Sequence, residues 1–475
     1  MGQEIAEANF TEQDFARFRE HLDDETSRLR DLLSESSAKS SIPCAGLELE
    51  AWLVDSELRP AAINDIFLDV LNDPLVNREL AKFNIEFNTE PVSLSGSAMS
   101  QLQHQLQTAW SQASKQARLL DVDLMMIGIL PTLRQSDLSV QNMSSMNRYR
   151  ALNEQILMTR GRPVTLDISG EEPLKLTHND VMLESATTSM QLHTQVPLNR
   201  AHHYYNASIM ASAAVVAVST NSPFLFEHAL WQETRIPLFE QAIEVGGFAG
   251  AAHGPIKRVG FGSDYAHHSI FECFDENLAH YPVLLPVQLG EASDELAHLR
   301  LHNGTIWRWN RPLVGFSDGK PHIRIEHRTP AAGPTVTDML ATAAFYYGLS
   351  HALCEHLILG ENRLPFSDAR DNFYKAARYG LNAHIVDFSG QHQRLQHFIL
   401  HDCLPLALQG LKSLSINSSD AEFYLSIIQE RVERQQTGSD WQRQFIGKYG
   451  RDFQQLSRRY LELQQQGKVV SQWPI

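Results

Sequence analysis

The stretch Pro321-His322-Ile323-Arg324-Ile325-Glu326-His327-Arg328-Thr329-Pro330 has the strict two-residue alternation of a β-strand. One predicted face carries the charged side chains Arg324, Glu326 and Arg328. The opposite face carries Ile323, Ile325 and His327. A carboxylate between two guanidinium groups suits phosphate or carboxylate ligands. For this strand alone, a solvated face with cross-strand ion pairs is the better explanation, so the other strands decide the question.

Three further segments of the chain divide in the same way into an apolar face and a polar face. They are residues 44–54, 83–91 and 189–196. Their polar faces carry Glu48 and Glu50, then Glu86, Asn88 and Glu90, and then Gln191, His193 and Gln195. A sheet face with this many carboxylates repels itself unless cations bind there. Each strand alone fits a solvated face, and His193 alone fits a hydrogen-bonded core histidine, but the shared lack of lysine favours one common site.

The carboxylates predict a magnesium site beside arginines that bind phosphate. Mg²⁺ takes hard oxygen ligands and is usually shared with substrate phosphates, and Mn²⁺ is an alternative. The candidate metal ligands are Glu48, Glu50, Glu86, His193 and Glu326. The candidate phosphate-binding residues are Arg324, Arg328, Arg235 and Lys257, and the candidate catalytic residues are Arg328, Glu326 and Arg235. Mg²⁺ together with arginine is typical of phosphoryl transfer.

Composition limits the classes of protein and partner. The 475 residues are 43% hydrophobic and 20% charged, which indicates a globular protein with a large core. The formal net charge of −16 argues against nucleic acid or an anionic membrane as a partner. The acidic N-terminus lacks the apolar region of a secretory signal, and no apolar run is long enough to span a bilayer. Four widely spaced cysteines predict reduced thiols and a cytoplasmic location.

Helical stretches between the strands indicate an α+β fold with an antiparallel sheet. The predicted helices span residues 10–33, 64–82, 100–120, 207–218 and 335–359, and a buried strand is predicted over residues 124–131. Beyond residue 335 the pattern is almost entirely helical, so this part is predicted to cover the sheet without adding strands. The sequence has no Walker A loop, HExxH zinc motif or GxSxG elbow that would support a competing chemistry.

Several of these segments, in this order, resemble the glutamate–cysteine ligase family of the second type, the bacterial carboxylate–amine ligases related to glutamine synthetase. The matching motifs are Gly46-Leu47-Glu48-Leu49-Glu50, Ile85-Glu86-Phe87-Asn88-Thr89, Gln191-Leu192-His193, Ser219-Thr220-Asn221-Ser222-Pro223 and Glu326-His327-Arg328. Arg235 stands where the family has a downstream arginine. The resemblance runs from residue 46 to about residue 387. It implies a glutamine synthetase/guanidino kinase-like sheet funnel covered by helices.

The resemblance also implies a two-step ligase reaction. Glutamate or another carboxylate attacks the γ-phosphate of ATP, and an amine or amino acid then converts the acyl phosphate to an amide with release of ADP and Pi. Glu326 is expected to bind metal, and Arg328 to contact the transferred phosphoryl group. A lid over residues 246–264 or 307–312 is expected to exclude water. The alternatives are a phosphotransferase acting on a guanidino or carboxyl group and a non-catalytic nucleotide-binding relative.

The resemblance divides the chain into three expected parts. They are a helical segment over residues 1–40, a catalytic carboxylate–amine ligase domain over residues 41–390, and a helical region packed on it over residues 391–475. Thr220 stands where the family usually has alanine, and residues 301–312 indicate a distinct subgroup, so the amine acceptor is not assigned. A homo-oligomer is compatible with the sequence.

Overall fold

The computed structural model describes residues 4–5, 9–35, 42–245, 257–289, 295–317, 319–360 and 364–475. Its helices are α1 Glu12–Glu35, α2 Asn64–Leu71, α3 Ala98–Leu119, α4 Asn147–Arg160, α5 Ala201–Ser219, α6 Arg235–Ala242, α7 Phe271–His280, α8 Ala297–Gly304, α9 Val336–Ile358, α10 Phe366–Tyr379, α11 Leu395–Phe398, α12 Leu404–Ser413, α13 Ser418–Glu433, α14 Gly438–Tyr449 and α15 Phe453–Gln465. None of these helices is both long enough and apolar enough to cross a membrane.

The strands alternate with these helices along the chain. They are β1 Cys44–Val54, β2 Val76–Arg78, β3 Asn84–Asn88, β4 Val92–Ser93, β5 Asp123–Met125, β6 Val164–Ser169, β7 Pro173–His178, β8 Met190–Val196, β9 Phe224–Leu225, β10 His228–Ala229, β11 Val259–Gly260, β12 Trp307–Arg308, β13 Asn310–Ser317, β14 Lys320–His327, β15 His384–Val386 and β16 His392–Arg394.

An eight-stranded antiparallel sheet organises the molecule. Its order is β13-β14-β8-β1-β3-β2, and β4 and β5 also pair with β1. The four segments that alternate in the sequence are therefore β1, β3, β8 and β14, and they lie side by side. The predicted α+β class with an antiparallel sheet is confirmed.

Helices α5 and α9 pack against one face of this sheet. Ile323 and Ile325 of β14 are fully buried on that side. The ring of His327 stacks on Tyr346 of α9 with 4.2 Å between ring centroids, and its Nδ1 lies 2.7 Å from Oδ1 of Asn310. His327 is thus a hydrogen-bonded core residue, and the other face of the sheet remains available for polar chemistry.

The structure corrects four predictions of local structure. The helix predicted over residues 64–82 ends at Leu71, because Asn72 adopts the left-handed conformation, and β2 follows. The strand predicted over residues 124–131 stops at Met125. The C-terminal part does add a small hairpin, β15–β16. Residues 307–312 belong to strands β12 and β13 rather than to a lid, and residues 246–256 of the other predicted lid lie outside the described residues.

Candidate active site

Strand register brings the polar faces of four strands together. Glu48 of β1 pairs with Gln191 of β8, and Glu50 pairs with Glu86 of β3. On the other side of β8, Glu326 of β14 pairs with His193. Because neighbouring side chains of paired strands share a face, these residues form one continuous polar surface.

One group of three ligands, Glu48, His193 and Glu326, lies on this surface. Each offers a ligand atom, and these atoms lie within 4.8 Å of one another. His193 Nε2 is 3.2 Å from Oε1 of Glu48 and 3.9 Å from Oε1 of Glu326. The side chain of Glu326 is fully buried, and those of Glu48 and His193 are mostly buried. We call this set the histidine group.

Two arginines hold Glu326 in its ionised form. Nε and Nη2 of Arg311 donate to its two carboxylate oxygens at 2.7 and 3.0 Å, and Nη1 of Arg328 lies 3.2 Å from Oε2. Burial alone would raise the pKa of Glu326, but Arg311 and Arg328 outweigh burial and lower it. Burial likewise acts to raise the pKa of Glu48, and attraction to His193 outweighs it and lowers that pKa to about 2.

A second group of ligand atoms within 4.8 Å of one another is formed by Glu50, Glu79 and Glu86, which we call the triple-glutamate group. Burial and then the neighbouring charge of Glu86 raise the pKa of Glu50 to about 7. Burial and then Glu50 raise the pKa of Glu79 to about 7, and burial and then Glu48 raise the pKa of Glu86 well above its usual value. This group holds more negative charge than its surroundings neutralise.

Both groups have unsatisfied polar atoms that fit a divalent cation. Oε2 of Glu48, Oε2 of Glu86 and Nδ1 of His193 are buried without a hydrogen-bond partner among the described residues, and Nε2 of His193 has the ion-pair contacts with Glu48 and Glu326 given above. Buried charges of this kind are costly unless a cation or donor compensates them. Carboxylate oxygens suit Mg²⁺ and Mn²⁺, and imidazole is an accepted further ligand for a transition ion.

Arg328 lies between the two groups. It donates to Oε1 of Gln191, while Nε2 of Gln191 donates to Oε1 of Glu50 at 3.0 Å. Its backbone N–H donates to Trp309 O at 2.9 Å, so the pairing of β14 with its neighbour continues through this residue. A chain of hydrogen bonds thus links Arg328 to both carboxylate groups and fixes the direction of its guanidinium fork.

The structure separates the other predicted phosphate-binding residues. Arg324 lines the cavity next to the site, and its buried Nε has no hydrogen-bond partner among the described residues. Arg235 is buried behind the site, where it donates to Glu233 at 3.2 Å and to the carbonyl oxygens of Arg328 and Thr329. Lys257 is exposed and does not line the cavity. Among these candidates, only Arg324 and Arg328 line the cavity.

A cavity of about 810 Å³ opens on this side of the sheet. This volume lies within the range of roughly 300–1,000 Å³ that is typical of small-molecule sites. Glu50 and Glu79 line one end of the cavity, together with Glu184 and Arg328. Burial and then the charge of Glu50 raise the pKa of Glu184 to about 8. The members of the histidine group do not line the cavity.

Sequence patterns missed Glu79, Glu184 and Arg311. Glu79 lies between β2 and β3, where a helix was predicted, so it was not assigned to a strand face. Arg311 precedes Pro312, and proline argues against an internal strand position. Because β13 is the edge of the sheet, it accommodates Pro312. Glu90, which follows the alternation of β3, has an exposed side chain outside both groups.

The chain belongs to glutamate–cysteine ligase family 2, whose family model matches residues 44–467. This match confirms the resemblance found in the sequence and extends it through most of the C-terminal helices. A comparison with curated proteins finds no match.

Two solved structures of ligases have a similar fold. The glutamate–cysteine ligase of Francisella tularensis, determined in complex with AMP, has a TM-score of 0.52 at 11% identity, with 90% of each chain covered. The bifunctional glutathione synthetase of Pasteurella multocida has a TM-score of 0.55 at 10% identity, covering 93% of this chain and 54% of that one. The curled antiparallel sheet covered by helices is therefore the glutamine synthetase-like ligase fold.

Proposed function

We propose that this protein is an ATP-dependent carboxylate–amine ligase that forms an amide through an acyl phosphate. The observation that carries the proposal is the placement of Arg328 between two three-residue ligand groups on one sheet face. Phosphoryl transfer depends on positioned cations and arginines around the moving phosphoryl group. Membership in glutamate–cysteine ligase family 2 supports the same chemistry.

Each residue of the site has a distinct task in this proposal. Glu48, His193 and Glu326 would hold one divalent cation, and Glu50, Glu79 and Glu86 another. Bound Mg²⁺ would neutralise phosphate oxygens and polarise the phosphorus–oxygen bond. The guanidinium fork of Arg328 would bind two oxygens of the phosphoryl group as it moves from ATP to the substrate carboxylate.

Neighbouring residues would keep these groups in position. Arg311 binds both oxygens of Glu326 and so limits the rotation of a proposed metal ligand. Arg235 binds the backbone carbonyl groups of Arg328 and Thr329, which makes it a positioning residue in this proposal rather than a phosphate ligand. Arg324, which lines the cavity, would bind a phosphate or a carboxylate of the substrate.

We propose glutamate as the carboxylate donor, because the family is named for ligases that activate it. ATP is the proposed nucleotide, and the AMP in the Francisella tularensis ligase supports nucleotide binding by this fold. The four cysteines form no disulfide, which supports a reducing compartment such as the cytoplasm.

The test is a product assay on the full chain with ATP, Mg²⁺, glutamate and a panel of amines. A ligase releases one Pi and one ADP for each amide, and removal of Mg²⁺ with EDTA should abolish all three products. A phosphorylated product that accumulates without Pi would instead identify a phosphotransferase. Failure to hydrolyse or transfer phosphate from ATP with any donor and amine would refute the proposal.

A further inference from the structure

The cavity has an apolar wall at the border of the main core. Ile5, Leu285 and Val287 belong to a small hydrophobic cluster of their own, with Leu152, Leu289 and Leu301 packed against it. All six of these residues line the cavity. Together they form a surface that we call the apolar wall. An apolar surface that faces a cavity is typical of ligand sites, because contact between apolar side chains and solvent does not stabilise the protein.

The apolar wall is continuous with the charged end of the cavity. Leu152 follows Tyr149 by three positions on α4, so the two side chains are neighbours on one helix face, and both line the cavity. Burial and then the charge of Glu79 raise the pKa of Tyr149, and Glu184 adds to this, so Tyr149 lies beside the carboxylates of the charged end. A molecule that reacts beside Arg328 would therefore have its remaining atoms against the wall.

We propose that the amine acceptor has an apolar body larger than the side chain of cysteine, and that the apolar wall binds this body. This inference rests on the proposed ligase function. Glu184 faces the same cavity but belongs to neither ligand group, so its carboxyl oxygen is available to accept a hydrogen bond from the amine of the acceptor. The amine then lies beside the acyl phosphate, and the apolar body extends towards Leu285 and Leu301.

A homologous series of amines tests the wall directly. Calorimetric titration of the full chain in Mg²⁺ with ethylamine, butylamine and hexylamine should give dissociation constants that fall about fourfold for each added methylene. Cysteine should bind more weakly than butylamine. Equal affinities across the series, or tighter binding of cysteine, would overturn the inference. Hexanoate binding more tightly than hexylamine would also overturn it, because the wall would then serve the carboxylate donor.

A matched pair of leucine variants locates the binding. Leu301→Gln keeps the approximate size of a partly exposed side chain on the wall, and it should weaken hexylamine binding about tenfold while changing ethylamine binding little. Leu119→Gln alters a side chain that is 75% exposed on α3 and should change neither. Equal losses for both amines in Leu301→Gln would contradict the inference, because a local apolar contact depends on chain length.

Measurements of turnover distinguish a failure of this inference from a failure of the ligase proposal. In the same amine series with ATP and glutamate, kcat/KM for amide formation should follow the order of binding. Graded binding without ADP or Pi release would refute the ligase function, although the wall would remain a binding site for apolar amines. Turnover that is fastest with cysteine would leave the ligase function intact and refute the apolar acceptor.

Discussion

The two ligand groups on the sheet differ in how their charge is balanced. In the histidine group, Glu326 is bound by Arg311 and Arg328, and the pKa values of Glu48 and Glu326 are lowered. In the triple-glutamate group, burial and mutual repulsion raise the pKa of every member. Side chains of the protein therefore balance the charge of the first group, whereas full ionisation of the second group near neutral pH requires a bound cation.

Replacing Glu326 should have the largest effect on activity, because it removes a ligand of the histidine group and the partner of Arg311 and Arg328. We expect Glu326→Gln to reduce Mg²⁺-dependent ADP release by about 10³-fold. It also leaves Arg311 buried without its carboxylate, which should lower the free energy of unfolding by about 3–5 kcal/mol. A coupled assay and urea denaturation measure the two effects. The exposed Glu90→Gln is the matched control, and near-normal turnover in Glu326→Gln would contradict the metal assignment.

Replacing Arg328, whose guanidinium group links the two ligand groups, should have the next largest effect. Arg328→Lys keeps the charge but loses the paired donors, so we expect kcat to fall about 10²-fold with little change in the KM for ATP. Steady-state kinetics measure both constants. Arg118→Lys, a change of the same kind on the exposed surface of α3, should behave as wild type. Unchanged kcat in Arg328→Lys would assign Arg328 to an ordinary structural ion pair.

Acid pH should weaken metal binding to the triple-glutamate group through protonation of its carboxylates. Glu50 and Glu79, each with a pKa of about 7, are mostly protonated at pH 6 and mostly ionised at pH 8. The metal-free folded state therefore holds more protons than the unfolded state in this window, and its stability falls as pH rises through it. Mg²⁺ binding should become about tenfold tighter per carboxylate from pH 6 to pH 8.

The measurement is the rise in melting temperature on addition of Mg²⁺, taken at both pH values. The rise should be larger at pH 8. A Glu50→Gln variant provides the control, since it should reduce the difference between the two pH values. An equal rise at pH 6 and pH 8 would show that Mg²⁺ binds only to the histidine group, whose carboxylates are ionised at both pH values.

The smallest expected effect is a gain in stability. Glu86→Gln removes a carboxyl group whose ionisation is opposed in the folded state by burial, Glu48 and Glu79, so the metal-free protein should become more stable by about 1–2 kcal/mol at pH 8. Urea denaturation in EDTA measures the change. The sign is opposite to that expected for Glu326→Gln. If Glu86→Gln destabilised the protein by a similar amount, the contrast between the two groups would not hold.

Strand periodicity made the sheet and most of the site predictable. Glu48, Glu50, Glu86, His193 and Glu326 all lie on strands with clear alternation, and the structure brings all five together on one face. An observed period of two is sufficient to predict a shared face once the strands pair.

The remaining residues of the site depend on information that periodicity does not carry. Glu79 enters from a short connection between β2 and β3, and Arg311 from an edge strand that contains proline. The direction of the Arg235 guanidinium is set by the backbone carbonyl groups of Arg328 and Thr329, which are close only after folding. Tertiary contacts determine the positions of these side chains, and such contacts cannot be predicted from the periodicity of a single sequence.

The apolar wall and the ligand groups come from different parts of the molecule. The ligands lie mainly on paired strands, whereas Leu152 and Leu301 lie on helices α4 and α8, and Ile5, Leu285 and Val287 lie on irregular segments. Substitutions in the wall therefore leave the hydrogen-bonded register of the sheet intact. Under the proposed function, acceptor preference can diverge between relatives by changes in these outer segments, and the same segments are the targets for engineering a new acceptor onto an unchanged set of ligand groups.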